Sequence, residues 1–147
     1  MPISPPDSPQ AALFTVRLIW AAMLMGMLVL AVVLTQSFSQ PPNPAAATRF
    51  AWISAGLLLV TTPAGYFIRM QTYKRHWQGE IITPRGYRTG NIILFACLEA
   101  PAVASLAAGL LGRSFWPYAL PAAIALVLFA LNFPTGRPLH PPATPAR

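Results

Sequence analysis

Four apolar runs, each at least nineteen residues long, divide this chain, with short polar segments between them. They extend from about Leu13 to Thr35, Phe50 to Ile68, Thr89 to Leu111 and Phe115 to Phe133. A hydrocarbon core of about 30 Å takes about 20 helical residues to cross, so each run is long enough to span it. Inside hydrocarbon every backbone N–H and C=O must be satisfied within the segment, which selects helices. The two-residue alternation of a membrane barrel strand is absent. The sequence therefore predicts an all-α polytopic membrane protein, a four-helix transmembrane bundle over residues 11–133.

Composition decides what the chain is not. Hydrophobic residues make up 55% and charged residues 9%, against about 25% charged in a soluble domain. That excludes an ordinary cytosolic enzyme and a charged disordered tail. The single cysteine, Cys97, excludes an intrachain disulfide scaffold. Ten Lys and Arg against three acids give a net charge of +7. Such an excess can serve nucleic acid. Here the cations flank the apolar runs, which is the loop bias of membrane proteins, so no nucleic-acid partner is expected.

Residues 1–10 hold four prolines and no cation, and residues 134–147 are again proline-rich. Both tails are expected to be unstructured. The first run lacks a basic leader and exceeds the usual signal-peptide length. Ala45-Ala46-Ala47 imitates a cleavage site, and cleavage there stays a secondary alternative. The linker Gln40-Pro41-Pro42-Asn43-Pro44 forces a turn between the first two spans.

The cations set the orientation. With four spans, one side collects Arg17, Arg69, Lys74, Arg75, Arg85, Arg88, Arg137 and Arg147, and the other has Arg49 and Arg113. Eight against two predicts both termini in the cytoplasm of a bacterial inner (cytoplasmic) membrane. Trp20, Tyr66, Tyr73, Trp77 and Tyr87 fall near that face, and Trp52, Trp116 and Tyr118 near the other. In the middle loop, Lys74, Arg75, Arg85 and Arg88 with their aromatic neighbours suit anionic headgroups of the lipid bilayer. Thr83-Pro84 reads as N-cap and first residue of the third helix. Arg17 to Trp20 and Arg49 to Trp52 echo Arg88 to Asn91 and Arg113 to Trp116, which suggests two similar hairpins. Recurrence of Arg and Trp at any membrane boundary is the plainer explanation.

The third span carries the only chemistry. Glu99 lies eleven residues after Arg88 and fourteen before Arg113. At 1.5 Å per residue that is about 16 Å from the cytoplasmic boundary, near mid-depth. A carboxyl there costs roughly 2.5–3.5 kcal/mol on insertion scales, so it should face another helix or a small polar cavity. Pro101 has no N–H, which leaves the Cys97 carbonyl without its helical partner. Two readings follow for Glu99, Cys97 and Pro101. They form a proton or small-cation site, or a protonated Glu99 hydrogen-bonds helices together. Ala96, Ala100, Ala104 and Ala108, continued by Gly112, form a small-residue row that permits close helix packing. Gly86 and Gly90 add a G-x-x-x-G at the cytoplasmic end.

Enzyme motifs are missing. His76 and His140 lie outside the runs, so a buried bis-histidine haem is not available. There is no H-E-x-x-H, P-loop or G-x-S-x-G. Met23, Met25 and Met27 diverge around a helix and do not make one metal-binding face. No catalytic activity, metal or cofactor is expected.

The string LFACLEAPAVASLAAGLLG over Leu94 to Gly112 resembles the carboxylate helix of rotor-ring proteolipids, the c-type subunits of ATP synthases. It is also similar to uncharacterised small four-span bacterial membrane proteins that share an L-E-x-P-A-like helix. The resemblance covers about one span and implies an ion-binding carboxylate at Glu99. Rotor subunits have a glycine-repeat first helix, whereas Gly26 stands alone in the first run here. Their carboxylate sits on the second helix of a hairpin, and Glu99 opens the second hairpin instead. The four-span group is the better fit. The resulting expectation is a non-catalytic integral inner-membrane protein, an accessory subunit with a membrane-protein partner or a homo-oligomer. The alternative is a proton- or cation-coupled transport component using Glu99.

Overall fold

The computed structural model describes residues 8–36, 44–113, 116 and 118–140. The N-terminal tail to Asp7, the linker Gln40–Asn43, Pro117 and the tail from Pro141 lie outside the described residues. Four α-helices form: α1 (Pro9–Thr35), α2 (Pro44–Arg75), α3 (Pro84–Gly112) and α4 (Ala119–Leu131). A two-stranded antiparallel hairpin, β1 (Trp77–Gln78) and β2 (Ile81–Ile82), joins α2 to α3. A 3₁₀ turn, Arg137–Leu139, follows α4.

The helices start where local chemistry allows. Ser8 caps α1 by accepting from the Ala11 N–H at 3.1 Å, and Pro9 follows at the first helical position. Thr83 caps α3 in the same way through the Gly86 N–H at 3.2 Å, ahead of Pro84, as the sequence predicts. Both helices therefore begin before their apolar runs. Between α2 and α3, the strands pair Trp77 with Ile82 and Gln78 with Ile81. Gly79 opens the two-residue loop at φ +61, which glycine adopts without a Cβ penalty. The sequence reading left this stretch as loop.

Three helices, Pro9–Thr35, Thr48–Arg75 and Pro84–Gly112, are long and apolar enough to cross a membrane. Their outward faces are hydrophobic. Phe14 is 69% exposed, Leu59 74% and Leu111 56%. Water would oppose such a surface, whereas lipid tails match it. The fourth run behaves differently from expectation. Its helix is thirteen residues, about 20 Å at the usual rise, instead of the full Phe115 to Phe133. Pro121 is accommodated in the first turn, where backbone N–H groups have no helical acceptor. The residue before a proline disfavours helix, so Pro134 limits the other end at Leu131 and Asn132.

Helix α3 is the hub. It packs most extensively on α2 and then on α1 and α4, while α1 and α2 each touch α4 only lightly. The main core joins Val16 and Met27 of α1, Leu94, Phe95, Leu98 and Ala102 of α3, and Ala125 and Phe129 of α4. Ile82, Tyr87 and Leu139 continue it toward the hairpin. A smaller cluster of Leu34, Leu106 and Ala122 closes the opposite end.

The chain after α4 does not run free. Pro134 and Gly136 are buried and Leu139 is 3% exposed. The Gly136 N–H donates to the Tyr87 hydroxyl at 3.1 Å. The expectation of an unstructured tail from Pro134 is thus corrected for residues 134–140. An apolar leucine and two chain-stiffening prolines give this segment something to bury at little entropic cost.

Candidate functional site

Polar side chains gather at two places, one at the middle of α3 and one at its N-terminal end, next to the hairpin. The first is the region of Cys97, Glu99 and Pro101. Pro101 leaves the Cys97 carbonyl without a helical donor, as the sequence requires. Helix α2 supplies the replacement. Thr61 Oγ1 lies 2.8 Å from the Cys97 carbonyl and 2.8 Å from its own Leu57 carbonyl, sharing one proton between them. Gly65, one turn along α2, lets the helices close here. A Cβ at Gly65 would stand 2.7 Å from the Cys97 Cβ, inside any real contact distance. Ser105 returns its hydroxyl to the Pro101 carbonyl at 2.7 Å, within α3. The proline turn is therefore a satisfied interhelical junction.

Glu99 is not part of that junction. Two residues along a helix differ by about 200°, so Cys97 turned to α2 directs Glu99 elsewhere. Its i−4, i+3 and i+7 neighbours, Phe95, Ala102 and Leu106, are buried. Its i−3 and i+4 neighbours, Ala96 and Val103, are exposed. Glu99 is half-buried on the seam between these two faces. It makes no hydrogen bond or ion pair among the described residues. The structure thus separates the carboxyl from the thiol and the freed carbonyl.

The small-residue row divides as well. Ala96 and Ala100 are exposed, Ala104 is half-buried and Ala108 is buried. Gly86 and Gly90 face α2, where added Cβ atoms would collide with His76 and with the Tyr73 ring.

The second gathering draws on all four helices. Asn91 of α3 donates at 2.8 Å to the Tyr73 hydroxyl and to the Tyr87 carbonyl. Tyr73 and Tyr87 stack with centroids 6.3 Å apart. Arg69 lies 5.1 Å over the Tyr73 ring and donates to Asn132 Oδ1 at 3.2 Å. Asn132 donates in turn to the Tyr66 hydroxyl and to the Leu128 carbonyl. From α1, Arg17 Nε donates to the Pro134 carbonyl at 3.1 Å, with its guanidinium 5.3 Å from the Phe133 ring. Trp20 Nε1 donates to the Phe129 carbonyl at 3.1 Å. The Trp20 and Asn132 bonds meet the last carbonyls of α4, where a helix carries partial negative charge.

Sequence reading did not single out Thr61, Asn91 or Asn132. Each is a polar residue in or beside an apolar run, a pattern that marks interhelical hydrogen bonding in membranes. Lys74, Arg75 and Arg85 are exposed beside the hairpin, and Arg88 is half-buried. His76 donates Nδ1–H to the Thr72 carbonyl at 2.9 Å. Among the described residues no group of three His, Cys, Asp or Glu side chains is placed to hold a metal.

Two hollows border α4. A groove of about 370 Å³ runs between Thr48, Ala51, Trp52 and Ala55 of α2 and Pro121 of α4. A smaller one of about 150 Å³ lies between α1, α3 and α4, beside Leu34, Leu106 and Tyr118. Their linings do not include Glu99. Comparison with protein-family models, curated proteins and solved structures finds no match to this chain.

Proposed function

We propose that this chain is a non-catalytic integral membrane protein that serves as an accessory subunit, docking a partner helix on the uncovered face of α3. The observation that carries this reading is the position of Glu99. It borders an apolar face that its own bundle leaves open, with small residues Ala96 and Ala100 beside it. Small side chains let a second backbone approach, and the carboxyl at the rim supplies a polar group able to hydrogen-bond a partner helix. The satisfied Thr61–Cys97 junction supports a packing role for the proline turn over an ion path.

The proposed setting is a bacterial inner membrane, with four crossings and both termini cytoplasmic. Lys74, Arg75, Arg85 and Arg88 meet lipid headgroups on the cytoplasmic face.

The test compares Glu99→Gln with Glu99→Lys after gentle purification. Glutamine keeps a neutral hydrogen-bonding group, so partner recovery should stay near that of the natural chain. Lysine places an ammonium at mid-depth and should reduce recovery severely. Carbodiimide labelling of Glu99 should be weak. Strong pH-dependent labelling that a specific cation suppresses would overturn this reading and establish Glu99 as a transport carboxylate.

A further inference from the structure

We infer that Arg17 and Arg69, together with Tyr66, form a discrete binding site for the phosphate of an anionic lipid headgroup at the cytoplasmic end of α4. The two arginines come from helices that scarcely touch each other, yet both grip the same short segment. Arg69 holds the Asn132 side chain and Arg17 holds the Pro134 carbonyl, two residues on. Each guanidinium is further fixed by an aromatic ring, Phe133 for Arg17 and Tyr73 for Arg69. Neither uses a carboxylate as its anchor. Arg17 spends only Nε and Arg69 only one Nη1 on these hydrogen bonds, so N–H groups remain on both forks. Tyr66 accepts from Asn132, which leaves its own O–H to donate, and it is 38% exposed.

Charge accounting asks for an external anion. The C-terminus of α4 offers about half a negative charge against two full positive ones. Among the described residues the acids do not make up the difference, since Glu80 lies on the hairpin loop and Glu99 on the middle of α3. Depth identifies the source. Arg69 directly follows the second apolar run, and Arg17 precedes Trp20 at the cytoplasmic end of the first. That is the plane of lipid phosphates, and a guanidinium fork matches phosphate oxygens geometrically. The site differs from the exposed cations of the hairpin region because its arginines are held in place by the fold.

The full chain in nanodiscs tests this. Binding of phosphatidylglycerol and of phosphatidylcholine is compared by native mass spectrometry, with inorganic phosphate as a separate arm. The natural chain should prefer phosphatidylglycerol by about thirtyfold, the scale expected of two cations at the membrane surface. Arg17→Gln/Arg69→Gln should lose most of that preference. Arg137→Gln/Arg147→Gln removes equal charge from the side the charge rule assigns to the cytoplasm, at residues given no part in the site, and should keep most of the preference. Should the glutamine pair fail to fold, Arg17→Lys/Arg69→Lys keeps the charge and loses the fork. It should then lower the preference several-fold. Inorganic phosphate that displaces the lipid would support the phosphate site and show that it also accepts the free anion. Unchanged preference in the Arg17/Arg69 variants, or an equal loss in the Arg137/Arg147 pair, would overturn the inference.

Discussion

Thr61→Val removes one hydroxyl and keeps the branched shape, which isolates the bond to the Cys97 carbonyl. That carbonyl has no helical donor because residue 101 is proline, and Thr61 reaches it at 2.8 Å. The Leu57 carbonyl, which shares the same proton, keeps its backbone partner in α2. Interhelical hydrogen bonds in membranes contribute about 0.6 kcal/mol on average and up to about 1.7 kcal/mol. Here the acceptor is left in hydrocarbon with nothing else to bond, so the upper half applies and Thr61→Val should cost about 1–2 kcal/mol. Pro101→Ala restores an N–H aimed at the same carbonyl. In that background Thr61→Val should cost no more than about 0.5 kcal/mol, a coupling of about 1 kcal/mol between residues on different helices. Reversible unfolding of the four variants in mixed micelles measures the cycle. Equal costs in both backgrounds would refute the assignment of Thr61 as the surrogate donor.

At the same crossing, Gly65→Ala should destabilise by about 1–3 kcal/mol through overpacking against the Cys97 Cβ. Cys97→Gly should recover part of that loss, while simple additivity in a thermal-stability cycle would contradict the contact. Reporter fusions at His76 and at the C-terminus should both read cytoplasm, and one near Asn43 the opposite side. A non-cytoplasmic signal at His76 would reverse the orientation drawn from the cations.

The three long apolar helices were legible because hydrophobic length is a property of consecutive residues. So was the start of α3 at Thr83-Pro84, since an N-cap and its proline sit side by side in the chain. The short α4 was less so. Phe115 to Phe133 has the length of a span, but the helix within it runs from Ala119 to Leu131, with the Asn132 side chain and Pro134 marking its C-terminal end. The hairpin was hidden because two-residue strands carry no alternation to detect, and its only marker is Gly79. Pro101 predicted an orphan carbonyl correctly, yet could not name Thr61, thirty-six residues upstream. The return of residues 134–140 was misread for a related reason. Proline-rich composition suggests disorder, while the burial of Leu139 and the bond from Gly136 to Tyr87 depend on partners far away in sequence.

The hub position of α3 has a consequence for the order in which the protein can be made. During synthesis α1 and α2 emerge first, and neither finds its main packing surface in the other. Both must wait in the membrane as separate helices until α3 arrives. The hairpin ties α2 and α3 as close neighbours, so that pair can assemble first through Thr61, Gly65 and Gly90. Helix α1 can then dock on the exposed side of the pair. The segment made after α4 closes the assembly, with Gly136 against Leu13 and Pro134 under Arg17. A nascent chain stopped before α3 would therefore carry two unpaired helices for the quality-control machinery to recognise.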